Sequence, residues 1–544
     1  MKPSFAILFA AAALTFTGCA QYASVSEKKP RFQPVRATAG ALASVERGIT
    51  NAMRREKSDP LAALGELLVA ADTAARQLAL NPDDTDARDA YNFAVARVFS
   101  VIRERKIDPW TEPLRVPTPD GGEFALTHRP DSRKNWNPAL YDFTPTDQFD
   151  IEGTYVKHRT TREGVGAPLV AVGRELNADA KAEFSIPRIY YGVTALIHFE
   201  GGRAVVALED PLSTERVEIG GNTAPLAADF TAPIAVMLAS TDTKRQELAR
   251  LFRPEKYAET ARISRLQPYD PNKTVVLVIH GLKDTQATWT PMFNTLCGDE
   301  EIRRDYQFWF FGYPTGYPYP YSAAILRREL DAIQKKFPLH KPMVVVGHSM
   351  GGCISRLLIT DTEEKLWLAL FKKPPAEVPL SPASREFFTE AFIFRPRPEV
   401  GRVVFMAAPL RGAELASGWP GRVGSRLVRT PTTLLEVGAD AMKVVTFQGD
   451  ELRVKNIPNS VDTLAPNNRF VRAVQTLPFA PGIPYHVIVG DRGKGGNKDK
   501  TKPVMSDGFV PYWSSRLDGA ASELIVPSGH GVHQNAAAIA EVKR

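Results

Sequence analysis

Residues 342–352 read Pro-Met-Val-Val-Val-Gly-His-Ser-Met-Gly-Gly, an apolar β-branched run that breaks into the pattern G-x-S-x-G. Val344, Val345 and Val346 leave no room for alternation, so they predict a strand buried on both faces. After the glycines, Ile354, Leu357 and Leu358 fall at helical spacing. Ser349 is therefore expected on a strand-to-helix turn, exposed as a nucleophile in a strained backbone conformation. Gly347 and Gly351 fit this reading, because side chains there would collide as the helix packs back on the strand. The helix N-terminus also aims amide groups at any anion near the serine.

Outward from this turn, strands alternate with helices from about residue 255 onward, the sign of a parallel sheet. Six buried strands are predicted: Thr274 to Ile279, Gln307 to Phe311, Met343 to Val346, Val403 to Met406, His486 to Val489 and Glu523 to Val526. Residues 362–400 and 411–480 exceed what a crossover helix needs, and such excursions usually build a cap or lid over a site. The second carries the apolar residues Leu415, Trp419, Leu427, Leu434, Leu435, Met442 and Phe447.

A serine hydroxyl is hardly ionised near neutral pH, so it needs a base, and the base needs an acid to fix its tautomer. His530 follows the last predicted strand, in Val526-Pro527-Ser528-Gly529-His530-Gly531-Val532-His533, before a final helix at Ala538 to Val542. Loops at the carboxyl ends of parallel strands gather at one sheet edge, where Ser349 also emerges. His530 is the preferred base and His533, closer to the final helix, its rival. For the acid, Asp507 in Ser506-Asp507-Gly508-Phe509-Val510-Pro511 is preferred to Asp491, because its sharp turn fixes a carboxylate better than the Lys- and Gly-rich loop after Asp491. Attack on a carbonyl also requires donors for the developing oxyanion. His280-Gly281-Leu282 follows the first strand, so the backbone amides of Leu282 and Met350 are the expected donors. His280 is read as structural, and His348, which flanks Ser349, is expected to point away from the reacting face. Gly490 to Asn497 resembles a phosphate-cradling loop only in composition and lacks the required lysine position.

VIHGL at 278–282, GHSMGG at 347–352, SDGFVP at 506–511 and SGHGVH at 528–533 together resemble the α/β-hydrolase superfamily, in particular its bacterial lipases and esterases. The resemblance covers roughly residues 255–544. It implies an α/β-hydrolase fold, a mostly parallel sheet with helices on both faces, and a Ser349-Asp507-His530 triad that cleaves carboxylic esters through an acyl-enzyme, without metal or organic cofactor. Met406 to Gly412 is similar to a lipase segment that carries a histidine where this chain has Leu410. An acyltransferase using the same acyl-enzyme, or a non-catalytic envelope scaffold, are the alternative readings.

The rest of the 544 residues calls for further units. Phe5 to Phe16 is an apolar run followed by Thr17-Gly18-Cys19, matching a secretory signal over residues 1–18. The ending looks like a bacterial lipobox. That resemblance implies lipidation of Cys19, membrane attachment through it, and, with Ala20 next, the outer membrane of a Gram-negative envelope. Residues 19–57 read as a tether, 58–105 as a helical hairpin interrupted at Asn81-Pro82-Asp83-Asp84, and 106–254 as a small β-rich accessory domain with strands at 190–197, 204–208 and 233–238. Cys297 and Cys353 supply neither a disulfide framework nor a metal-ligand set. The net charge of +7 is spread without a basic stripe, which argues against nucleic acid as a partner. The expected partner is an acyl ester or lipid.

Overall fold

The computed structural model describes residues 22–32, 40–130, 137–240, 250–413, 459–493 and 505–544. The chain forms two compact units, one of residues 1–176 and 188–242, the other of 177–187 and 243–544. Cys19 and the apolar run before it lie outside the described residues, as do the expected lid residues Leu415 to Phe447.

In the first unit, helices Pro60–Leu80 and Thr85–Arg105 form the expected hairpin. Asp59 and Asp84 cap them by accepting the amides of Ala62 and Ala87, so the polar break between them is a helix start as well as a turn. The hairpin packs on a six-stranded sheet. Buried Tyr91 ties the two together, its hydroxyl donating to the Ile197 carbonyl at 3.0 Å and accepting the Ile197 amide at 2.8 Å.

Two expectations fail here. The supposed tether contains a strand, Ser24–Glu27, and a helix, Ala41–Arg55, whose Val45, Ile49 and Ala52 are buried. So few apolar positions in a polar stretch left the helical period faint in the sequence. The run 233–238 is not a strand but part of helix Ala232–Ala239. A short apolar run cannot separate a buried strand from a buried helix, and Pro233 near the start favours the helix.

The second unit is built on a seven-stranded sheet. Its strands are β1 (Arg262–Arg265), β2 (Thr274–Ile279), β3 (Tyr306–Gly312), β4 (Met343–His348), β5 (Val400–Met406), β6 (Tyr485–Gly490) and β7 (Ser522–Val526). Their order is β1-β3-β2-β4-β5-β6-β7. All neighbours are parallel except β1, which pairs antiparallel with β3 at one edge. The six predicted strands are β2 to β7; the short edge strand β1 gave no sequence signal. Central β2 and β4 are almost wholly buried, whereas the outer β7 is half-buried along most of its length.

The helix after β4, Met350–Leu358, is buried at every position. Ile354, Leu357 and Leu358 join the core formed by β2 to β5, each contributing about 1.5–3 kcal/mol through burial. Residues 177–187, inside the first unit's span in sequence, belong to the second: Phe184 enters its core and accepts the Arg265 amide at 2.8 Å through its carbonyl. Within the first expected cap stretch, Lys365–Phe371 and Pro382–Phe392 are helices. Cys297 and Cys353 are buried free thiols.

Candidate active site

Ser349 sits between β4 and the following helix at φ 54°, ψ −123°, a conformation that L-residues rarely adopt. Its amide donates to the Met406 carbonyl at 2.9 Å, which fixes the turn to β5. A Cβ on Gly351 would strike the Ile279 and His280 carbonyls, and one on Gly347 would strike Ser355 and Gly351. The two glycines thus let helix and strand approach closely.

His530 Nε2 lies 2.8 Å from Ser349 Oγ, and its Nδ1 lies 2.7 Å from Asp507 Oδ2. With Nδ1–H donated to the carboxylate, the Nε2 lone pair faces the serine hydroxyl. Asp507 is 2% exposed. Its other oxygen accepts the amides of Phe509 and Val510, each at 2.8 Å. Burial raises the Asp507 carboxyl, but the His530 hydrogen bond and charge, with those two amides, outweigh it and hold the group below the ordinary carboxylate range. The D-G-F-V-P turn therefore positions the acid as well as carrying it.

Both rivals are placed elsewhere. Asp491 directly follows β6 and accepts its own loop's Gly493 amide at 2.9 Å. His533 is buried, its ring 4.1 Å from that of His348 and 4.8 Å from that of Trp289. Burial, then the charge of His348, holds it well below the usual histidine range, hence neutral.

The expected oxyanion loop lies against Ser349: a Cβ on Gly281 would be 2.8 Å from the Ser349 Cβ. Lys283 takes a positive φ of 55° and its amide donates to Thr315 Oγ1 at 3.3 Å, which turns the chain just after Leu282. Met350 is the first helical residue, so no helix carbonyl precedes it to accept its amide. His280 is structural, as expected: buried and pushed down to about 4 by burial, it accepts the Tyr313 hydroxyl on its carbonyl and stacks on that ring. Leu410 is buried.

Two residues near the site were not anticipated. Phe509 is 53% exposed, with its ring 5.2 Å from that of His530. Asp284 is buried and faces His348 Nδ1 at 3.4 Å. An acid five residues beyond Ile279 was visible in the sequence, but its burial depends on the fold.

Ser349, Asp507, His530 and the Leu282 loop all emerge from carboxyl ends of parallel strands, after β4, β6, β7 and β2. Residues 275–542 match the model of the alpha/beta hydrolase family. No curated protein matched the chain. Among solved structures, the mature lipase BlEst2 of Bacillus licheniformis is 16% identical, covering 52% of this chain and 97% of that one, with a TM-score of 0.32. A metagenomic carboxyl esterase is 15% identical over 49% of this chain and 67% of that one, TM-score 0.26. Phospholipase PlaB of Legionella pneumophila is 14% identical over 45% of this chain and 46% of that one, TM-score 0.27. The segment from residue 275 to 542, with its crossed-over parallel sheet and its serine on the strand-to-helix turn, has the alpha/beta hydrolase fold and matches the model of that family.

Proposed function

We propose that the chain is a serine hydrolase of carboxylic esters. The observation that carries this reading is the unbroken string Asp507, His530, Ser349, with spacings of 2.7 and 2.8 Å, ending on a strained serine. Ser349 Oγ attacks the ester carbonyl carbon while His530 Nε2 takes its proton. The amides of Leu282 and Met350 hold the oxyanion. As the tetrahedral species collapses, His530 returns the proton to the departing alcohol. Water then repeats the cycle on the acyl-enzyme, with His530 first as base and then as acid, and releases the carboxylic acid. Asp507 orients His530 and stabilises its charged form.

An apolar acyl chain suits the exposed Phe509 beside His530. The same reading includes a lipid on Cys19 and attachment to the outer membrane, supported by the run Phe5 to Phe16 and the Thr17-Gly18-Cys19 ending. Among the described residues no helix is long and apolar enough to cross a membrane.

Wild-type protein is expected to react with a fluorophosphonate probe and to hydrolyse aryl esters, whereas Ser349→Ala does neither. Full esterase activity in Ser349→Ala would end this reading. For the anchor, Cys19→Ala is expected to abolish metabolic incorporation of a palmitate analogue; unchanged labelling would remove Cys19 as the lipid site.

A further inference from the structure

Behind the serine, Asp284, His348 and His533 each turn one ligating atom toward the others, and these atoms all lie within 4.8 Å of one another. The three side chains are buried, with His533 2% exposed, His348 4% and Asp284 7%. None of them takes part in the proton transfers described above.

The distances separate this group from an ordinary hydrogen-bonded pair. A carboxylate and an imidazole that share a proton close to about 2.7–2.9 Å, as Asp507 and His530 do at 2.7 Å. Asp284 Oδ2 and His348 Nδ1 stop at 3.4 Å. Two donors placed about 2.0–2.1 Å from one tetrahedral ion stand roughly 3.4 Å apart. His348 also engages the His530 carbonyl through Nε2 at 2.7 Å, so a proton on Nε2 leaves the Nδ1 lone pair facing Asp284. Metal-binding histidines are held in the same way, one nitrogen donating outward and the other turned to the ion. His533 supplies a second buried imidazole, its ring 4.1 Å from that of His348.

Charge points the same way. The Asp284 carboxylate is an acceptor on both oxygens, Oδ1 taking the Thr285 amide at 2.8 Å and Oδ2 the Gly281 amide at 3.3 Å. Among the described residues no Lys or Arg forms an ion pair with it. A buried carboxylate without a fixed cation is costly, and an ion held between the three donors removes that cost.

We propose that Asp284, His348 and His533 bind one divalent transition-metal ion, for which two imidazoles and a carboxylate best suit zinc with a water as fourth ligand. The ion ties together three loops. Asp284 lies two residues past Leu282, His348 directly precedes Ser349, and His533 lies three residues past His530. It thereby positions the oxyanion donor, the nucleophile and the base relative to one another, without touching the reacting atoms. Metal content reads this independently of which bond the serine attacks.

The test uses the tag-free full chain, stripped with EDTA and dialysed against zinc or cobalt. Wild type and Ser349→Ala are expected to retain about one zinc per chain by mass spectrometry. Cobalt is expected to give the visible bands of a four-coordinate ion, and zinc to raise the melting temperature over the stripped protein. Asp284→Asn and His533→Ala are expected to lower the metal content at least about tenfold. Wild-type content below about one-tenth of an ion per chain, or equal content in wild type and both variants, overturns the site. Should both variants fail to fold, the wild-type stoichiometry and cobalt spectrum decide, and absent visible bands overturn it.

Discussion

Two histidine–carboxylate pairs lie within one turn of Ser349, and they are built differently. Asp507 and His530 meet at 2.7 Å, with the imidazole partly exposed and the carboxylate held by two amides of its own turn. Asp284 and His348 stand at 3.4 Å, both buried, with a third imidazole beside them. The first pair has an open side, as the proposed proton transfer to and from substrate requires. The second has none, and suits a fixed charge that sets geometry. Residue type alone does not distinguish a proton carrier from a support; solvent access and the spacing do.

The sharpest way to break the comparison is to remove one imidazole from each group. His530→Ala is expected to lower kcat on an aryl ester by about 10⁶-fold, because among the described residues no other side chain is hydrogen-bonded to Ser349 Oγ. His533→Ala is expected to retain acylation by a fluorophosphonate; loss as deep as that of His530→Ala would show that the two histidines act as one unit. The carboxylates extend the contrast. Asp507→Asn is expected to cost about 10⁴-fold in kcat through the wrong imidazole tautomer, and Asp284→Asn only about 10- to 100-fold, as befits a group acting through others. Equal losses would erase the distinction drawn here.

A smaller effect probes the turn itself. Gly351→Ala sets a methyl against the Ile279 and His280 carbonyls, and is expected to lower stability by about 1–3 kcal/mol in urea unfolding. Smaller still is the acid response of Asp507. Its folded carboxyl titrates below the ordinary range, so the unfolded chain binds more protons in acid. The stabilisation is present above the unfolded value of about 4 and is lost as pH falls through the lower folded one. The stability gap between wild type and Asp507→Asn in urea is therefore expected to narrow from about pH 6 to about pH 3; a constant gap would mean that the carboxyl is not held down.

The site was more legible than the frame around it. Ser349, Asp507 and His530 each stand in a turn whose glycines and strand ends are written within a few residues. By contrast, helix Ala41–Arg55 has few apolar positions, helix Ala232–Ala239 looks like a strand, and β1 is too short for a period. These elements owe their form to the surfaces they pack against. Residues 177–187 show the same limit, since no local signal says that Phe184 is buried with β1 and β3 instead of with its sequence neighbours.

The sequence by itself determined the strained turn: three consecutive valines demand a buried strand, and Gly347, whose Cβ would strike Ser355 and Gly351, permits the helix to fold back on it through contacts within the turn itself. It also determined the chain order of the three residues proposed as nucleophile, acid and base, Ser349, Asp507 and His530. Only the tertiary structure decided that His530 and not His533 reaches Ser349, across 181 residues, and that Asp284 is buried behind the site. The reason is physical. Turn sterics act over a few bonds, whereas a side chain's partner depends on how parallel strands far apart in sequence pair and where their carboxyl ends converge.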